Sequence, residues 1–199
     1  LLPLVRPCLK MLFRARLNSW RAGLPPLELQ TEHLTIPDAE TYTFLRPFWT
    51  KDLSFKNPEI FSWRLHNSVH APQLKGLPPL YRTYFGNLGY RHLNYIVKLY
   101  HRKRMVGFVN LIISDGMLKF PYFYLQSGME AQFCAWLAEL LRHNPVDAIY
   151  CQNPQVNSIL DSFHLPALYT KSYPMPVLVS KQLSSLALGQ ILQDGDGAF

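Results

Sequence analysis

Apolar residues recur at helical spacing in some stretches of this chain and alternate in others, and these two periods divide it into elements. Pro37-Asp38-Ala39-Glu40 opens like a helix, and Tyr42, Phe44, Leu45, Phe48 and Trp49 then form a broad apolar face. Asn57 is a capping residue and Pro58 suits a first helical turn, so a short helix is expected over 57–65. Residues 95–100 are β-branched and aromatic, His101-Arg102-Lys103-Arg104 makes a polar turn, and 105–113 is a second strand. The tight turn Ser114-Asp115-Gly116 leads to a third strand over 118–125, which completes an antiparallel meander. Met129, Phe133, Trp136, Leu137, Leu140 and Leu141 then predict a helix over 129–143, ended by Asn144-Pro145. A short buried strand over 146–151, a helix capped by Asn153 and running to Phe163, a strand over 174–179 and a last strand or hairpin arm over 189–199 follow. At the other end, 27–37 reads as a strand or loop entering the domain, and the Pro- and Gly-rich stretch 66–89 as a long irregular excursion.

Composition sets limits on what these elements can be. The chain has 199 residues, of which 48% are hydrophobic and 17% charged, enough to bury a core without disulfides or metals. Its net charge of +7 is uneven. Arg6, Lys10, Arg14, Arg16 and Arg21 precede the first acid, Glu28, which leaves 7 − 5 = +2 for everything after them. The body is nearly neutral, which argues against a nucleic-acid-binding domain, where basic residues stripe a folded surface. Residues 1–27 read as a basic amphipathic leader or interdomain linker helix, or as a targeting or membrane-peripheral segment, closed by Pro25-Pro26. Residues 28–199 are expected as one domain. Cys8, Cys134 and Cys151 are too few and too scattered for a disulfide framework or a structural zinc, which favours a reducing, cytoplasmic setting. No apolar run reaches bilayer-spanning length.

Other constellations resolve to ordinary structure. His66 and His70 stand four apart but lack the glutamate of a metalloprotease helix, and the tail Asp194-Gly195-Asp196-Gly197 lacks the further oxygen ligands of a calcium loop. No nucleophile elbow, phosphate-binding loop or dinucleotide fingerprint is present, which removes hydrolase, kinase and dehydrogenase readings. The basic tip His101–Arg104 is a solvated turn with the charge to attract an anion.

The element order, a meander, a helix after its third strand, then strand, helix and closing strands, is similar to the GNAT acyltransferase fold: α+β, a mixed twisted sheet with an antiparallel meander flanked by helices. The segment Asn57-Pro58-Glu59-Ile60-Phe61-Ser62-Trp63-Arg64 and the Asp-Gly-Asp-Gly tail resemble GNAT-like domains of bacterial envelope and polysaccharide loci, some of which are tandem. The resemblance implies transfer of an acyl group from acetyl-CoA or another acyl-CoA to an amine or sugar amine. It places the cofactor along Leu125, Gln126, Ser127, Gly128, Met129 and Ala131, and at Asn153. The family's Gln/Arg-x-x-Gly-x-Gly/Ala run is met by Gln126 and Ala131, while Met129 stands at its central glycine and Glu130 adds a negative charge. Tyr124 on the third strand and Tyr169 after the last helix are the implied catalytic hydroxyls. Tyr122 and Tyr124 are expected on one face of their strand. Two other roles fit the same resemblance: a domain that has lost CoA and serves recognition, and an aminoacyl-transferring half with a GNAT-like domain before it.

Overall fold

The computed structural model describes residues 2–52, 56–66, 92–114, 116–144, 146–172 and 193. In chain order the elements are α1 (Leu2–Ala22), β1 (Gln30–Leu34), α2 (Ala39–Trp49), α3 (Pro58–His66), β2 (His92–His101), β3 (Arg104–Ser114), β4 (Met117–Leu125), α4 (Glu130–His143), β5 (Ala148–Tyr150) and α5 (Pro154–Ser162). The strands form one sheet in the order β1-β2-β3-β4-β5; the first four are antiparallel neighbours, and β5 runs parallel to β4. One face packs against α1, α4 and α5, the other against α2 and α3. This is the α+β class expected from the sequence, with the meander β2-β3-β4 at its centre. The excursion 67–89, His70, the strand over 174–179 and the Asp-Gly-Asp-Gly tail lie outside the described residues.

Local chemistry sets the helix boundaries. Asp38 caps α2 by accepting from the Thr41 N–H at 2.9 Å, and Asn153 caps α5 by accepting from Gln155 N and Val156 N. The strand expected as buried over 146–151 is corrected. Only Ala148–Tyr150 pairs, with the first three residues of β4; Ala148 and Tyr150 are exposed, and among the described residues β5 has no second neighbouring strand.

A bulge in β4 directs its side chains. Asn110 pairs with Tyr122 and Ile112 with Lys119, so Phe120 and Pro121 together face Leu111. Proline has no N–H to contribute to a ladder, and a bulge is where a sheet tolerates it. The extra residue reverses the alternation. Leu118 and Phe120 turn to the α4 side, whereas Tyr122 and Tyr124 share the α2–α3 side with Phe61 and Phe108.

Between β1, β2 and α2 lies a buried cation. The Lys98 side chain is 1% exposed, and its ammonium reaches Asp38 at 2.5 Å, Glu40 at 2.8 Å and Glu32 at 3.9 Å. The Tyr100 hydroxyl lies 2.6 Å from Glu40 and 3.0 Å from Glu32, so its single proton is shared between the two carboxylates. Burial works against ionisation of Asp38, but hydrogen bonds from Lys98 and Thr41 outweigh it and bring its pKa to about 2. The Lys98 and Tyr100 hydrogen bonds likewise lower Glu40. Burial also opposes the Lys98 charge; the two carboxylates prevail and lift it above the usual lysine range. Depressed carboxylates contribute stability above their unfolded pKa values and lose it as pH falls through the folded ones. The urea midpoint is therefore expected to fall between pH 4 and about pH 2, and Lys98→Met to flatten that part of the profile. An unchanged profile in the variant would assign the acid transition elsewhere.

The end of α1 belongs to the core. Leu17 is buried, Trp20 Nε1 donates to the Phe163 carbonyl at 2.6 Å, and Arg21 pairs with Glu139 of α4 at 3.0 Å.

Candidate functional site

The β4–β5 ladder stops at Lys119, so the second half of β4 is not paired with β5 on that edge. Gln193 occupies it. Its Oε1 accepts from the Phe123 N–H at 3.2 Å and its Nε2 donates to the Phe123 carbonyl at 3.3 Å, as a neighbouring strand would. Asn153 Nδ2 also donates to that Oε1, at 2.8 Å, while Gln193 Nε2 reaches Asp52 Oδ1 at 3.3 Å. Asp52 Oδ2 in turn accepts from the Tyr124 hydroxyl at 2.7 Å and lies 2.8 Å from the Lys56 ammonium. Lys56 and Asp52 are 0% and 1% exposed at the side chain, so this is a buried ion pair with a tyrosine proton directed at its carboxylate.

Tyr124 and Asn153, singled out separately in the sequence, thus belong to one network, joined by Gln193 and Asp52. Tyr169 is 77% exposed on the loop after α5 and takes no part in it. Asp52, Lys56 and Gln193 were missed. The i, i+4 spacing of Asp52 and Lys56 was the available signal, but it falls between two helices, and nothing local marks Gln193.

Just beyond the network, β4 runs into α4. Gln126 N still pairs with Val106 O at 2.9 Å, and Met129 N closes a turn on Gln126 O at 3.3 Å. Gly128, inside that turn, has φ +87°, a left-handed conformation natural to glycine. A Cβ there would meet no atom within 4 Å, so the turn is open on that side. Met129 is the N-cap of α4 and supplies no side-chain hydrogen bond. The N–H groups of Glu130, Ala131 and Gln132 have no intrahelical acceptor by position, and the positive end of the helix dipole lies there. Leu125 ends β4, and its carbonyl accepts from Gln155 Nε2 at 3.4 Å.

A cleft of about 390 Å³ lies between the start of α4 and one face of α5, lined by Glu130, Gln155, Ser158, Ile159, Ser162 and Phe163. Of the sequence-predicted stretch Gln126 to Ala131, Glu130 alone lines it, as a charged wall. Cys134, one turn further along α4, is buried, and burial followed by the Glu130 charge pushes its thiol up to about 12. It is no nucleophile at neutral pH.

No family model and no curated protein matches the chain. Among solved structures, it is similar to an aminoglycoside acetyltransferase from an uncultured soil metagenomic sample, in complex with sisomicin. That match has 9% identity and a TM-score of 0.43, over 77% of this chain and 97% of the other. It is also similar to a ribosomal-protein-alanine N-acetyltransferase from Brucella melitensis biovar Abortus 2308, at 11% identity and TM-score 0.43, over 76% and 99%. An integron cassette protein from the mobile metagenome of V. cholerae matches at 9% identity and TM-score 0.40, over 81% and 98%. Likenesses of this size transfer no activity or substrate to the chain.

Proposed function

We propose that the chain is an N-acyltransferase of the GNAT type, which moves an acyl group from acyl-CoA to an amine or amino-sugar acceptor. The observation that carries this reading is the end of β4, where an open glycine turn leads into an α-helix with no side-chain cap, beside a cleft. A helix start of this kind suits a pyrophosphate, since exposed backbone N–H groups and the dipole both favour negative charge.

When bound, acyl-CoA would supply the activated thioester. The chain's own residues have distinct tasks around it. The N–H groups of Glu130, Ala131 and Gln132 would hold the phosphates, and Gly128 leaves the turn before them free of a side chain. Asn153 caps α5, and Gln155 ties the start of that helix to the Leu125 carbonyl at the end of β4. The GNAT resemblance assigns protonation of the departing thiolate to Tyr124; its Oη proton is donated to the buried Asp52 carboxylate and would have to leave that acceptor to reach the sulfur. The GNAT resemblance supplies the acceptor class.

One residue favours a second reading. Glu130 places a carboxylate in the first turn of α4 and on the cleft wall, where it already complements the helix dipole and would repel phosphate. On that reading the domain has lost CoA and serves recognition.

Calorimetric titration of acetyl-CoA separates the two. Micromolar binding is expected, lost in Gly128→Asp and roughly three- to tenfold tighter in Glu130→Gln, since one charge near a partly solvated phosphate is worth about 1 kcal/mol. Absence of binding in both the folded native chain and Glu130→Gln would leave the recognition domain as the standing reading.

A further inference from the structure

The half of α1 remote from its anchor exposes an apolar stripe. At about 100° per residue, Cys8, Met11, Leu12 and Ala15 follow the i, i+3, i+4, i+7 pattern of one helix face. Cys8 precedes Leu17 by nine positions, so this face points half a turn away from the side that Leu17 buries in the core. All four residues are exposed, Met11 at 73% and Leu12 at 51%, and Leu9 beside them is 45% exposed. Arg14 and Arg16, also exposed, flank the stripe on opposite sides. The first 27 residues carry five basic side chains and no acid. At Leu17, Trp20 and Arg21 the helix is fixed to the body, so the stripe is displayed at a defined angle.

We propose that this face of α1 docks in the plane of an anionic lipid surface. Apolar side chains between two cationic borders match a bilayer interface, where the stripe enters the acyl boundary and the arginines meet lipid phosphates. No described helix is long and apolar enough to cross a membrane, so the helix lies on the surface instead. A second copy is disfavoured as the occupant, because a two-fold pairing would bring two acid-free cationic helices face to face.

Vesicle co-sedimentation of the full chain tests this. Binding is expected to vesicles of phosphatidylcholine containing roughly one third phosphatidylglycerol, to weaken steeply with salt, and to be marginal on phosphatidylcholine alone. Met11→Ser with Leu12→Ser, and separately Arg14→Gln with Arg16→Gln, should each lower partitioning by roughly tenfold. The thermal midpoint should not change, since all four positions are exposed; it also verifies that each variant is folded. No binding to the anionic vesicles overturns the proposal, as does binding that both variants retain. Dimerisation in solution that the serine variants abolish would overturn it in favour of a second copy. Acetyl-CoA binding by the same variants is read in parallel and is expected to be unchanged, so this outcome is independent of the acyltransferase reading.

Discussion

Asp52→Ala is expected to cost about 3–5 kcal/mol of folding stability, the scale on which breaking one side of a buried ion pair acts. Three donors meet at that carboxylate, from Tyr124, Lys56 and Gln193, and both ion-pair side chains are removed from water. The alanine returns none of the desolvation already spent on the lysine, and it strips the tyrosine hydroxyl of a charged acceptor. In a chain of this length the thermal midpoint should drop by roughly 6–20 °C. Replacing the pair together, Asp52→Leu with Lys56→Met, should recover the part owed to the unpaired lysine but not the part owed to the Tyr124 hydroxyl and Gln193 Nε2, which still lose their acceptor. Urea unfolding of the native chain, Asp52→Leu, Lys56→Met and the double variant measures the coupling directly. A loss below about 1 kcal/mol for Asp52→Ala would mean that the pair is solvated, and Asp52 would then lose its role in orienting Tyr124. Transfer activity adds a second reading: Tyr124→Phe should abolish the proton donor while leaving acetyl-CoA affinity intact.

The sequence carried the fold further than the site because the fold's signals are local. The meander follows from β-branched runs and tight turns, α4 from the spacing of Phe133, Trp136, Leu137 and Leu141, and α5 from Asn153 ahead of Pro154. The shared face of Tyr122 and Tyr124 was also legible, since two residues apart suffices for it. Simple alternation, however, places Leu118 and Phe120 on that face as well. The bulge at Pro121 sends them to the opposite side, and the pairing partner that reveals it, Leu111, lies on another strand. The buried network depends on still longer reach. Asp52 meets Tyr124 across 72 positions and Gln193 across 141, contacts that no window of sequence contains. A short local motif points to the start of α4, where the binding proposed for it would be carried by consecutive backbone groups. It could not identify a network assembled from side chains of four distant segments.

That start of α4 is held in place by an aromatic cluster, and Phe133→Ala should loosen it. The Phe133 ring is fully buried; its centroid lies 4.8 Å from that of Phe123, 6.2 Å from Phe120 and 5.7 Å from Trp136. Two of these contacts exist because the bulge presents Phe120 and Phe123 on the same side of the sheet. Truncation to alanine removes a whole ring from a packed core and is expected to cost about 3–5 kcal/mol, whereas Phe133→Leu should cost about 1 kcal/mol. The position of the ring makes the consequence more than one of stability. Phe133 N–H donates to Met129 O at 2.8 Å, closing the first turn of α4 immediately above the groups assigned to phosphate. With the ring gone, that turn loses its contact with β4 while the remainder of α4 stays buried through Leu137 and Leu141. Acetyl-CoA affinity should therefore fall in Phe133→Ala even under conditions where the variant is fully folded, and remain near native in Phe133→Leu. Unfolding curves fix the folded fraction, and calorimetry on the same samples reads the affinity. Equal affinity in the native chain and the folded alanine variant would show that the helix start keeps its geometry without this ring, and its positioning would then rest on the Gly128 turn alone.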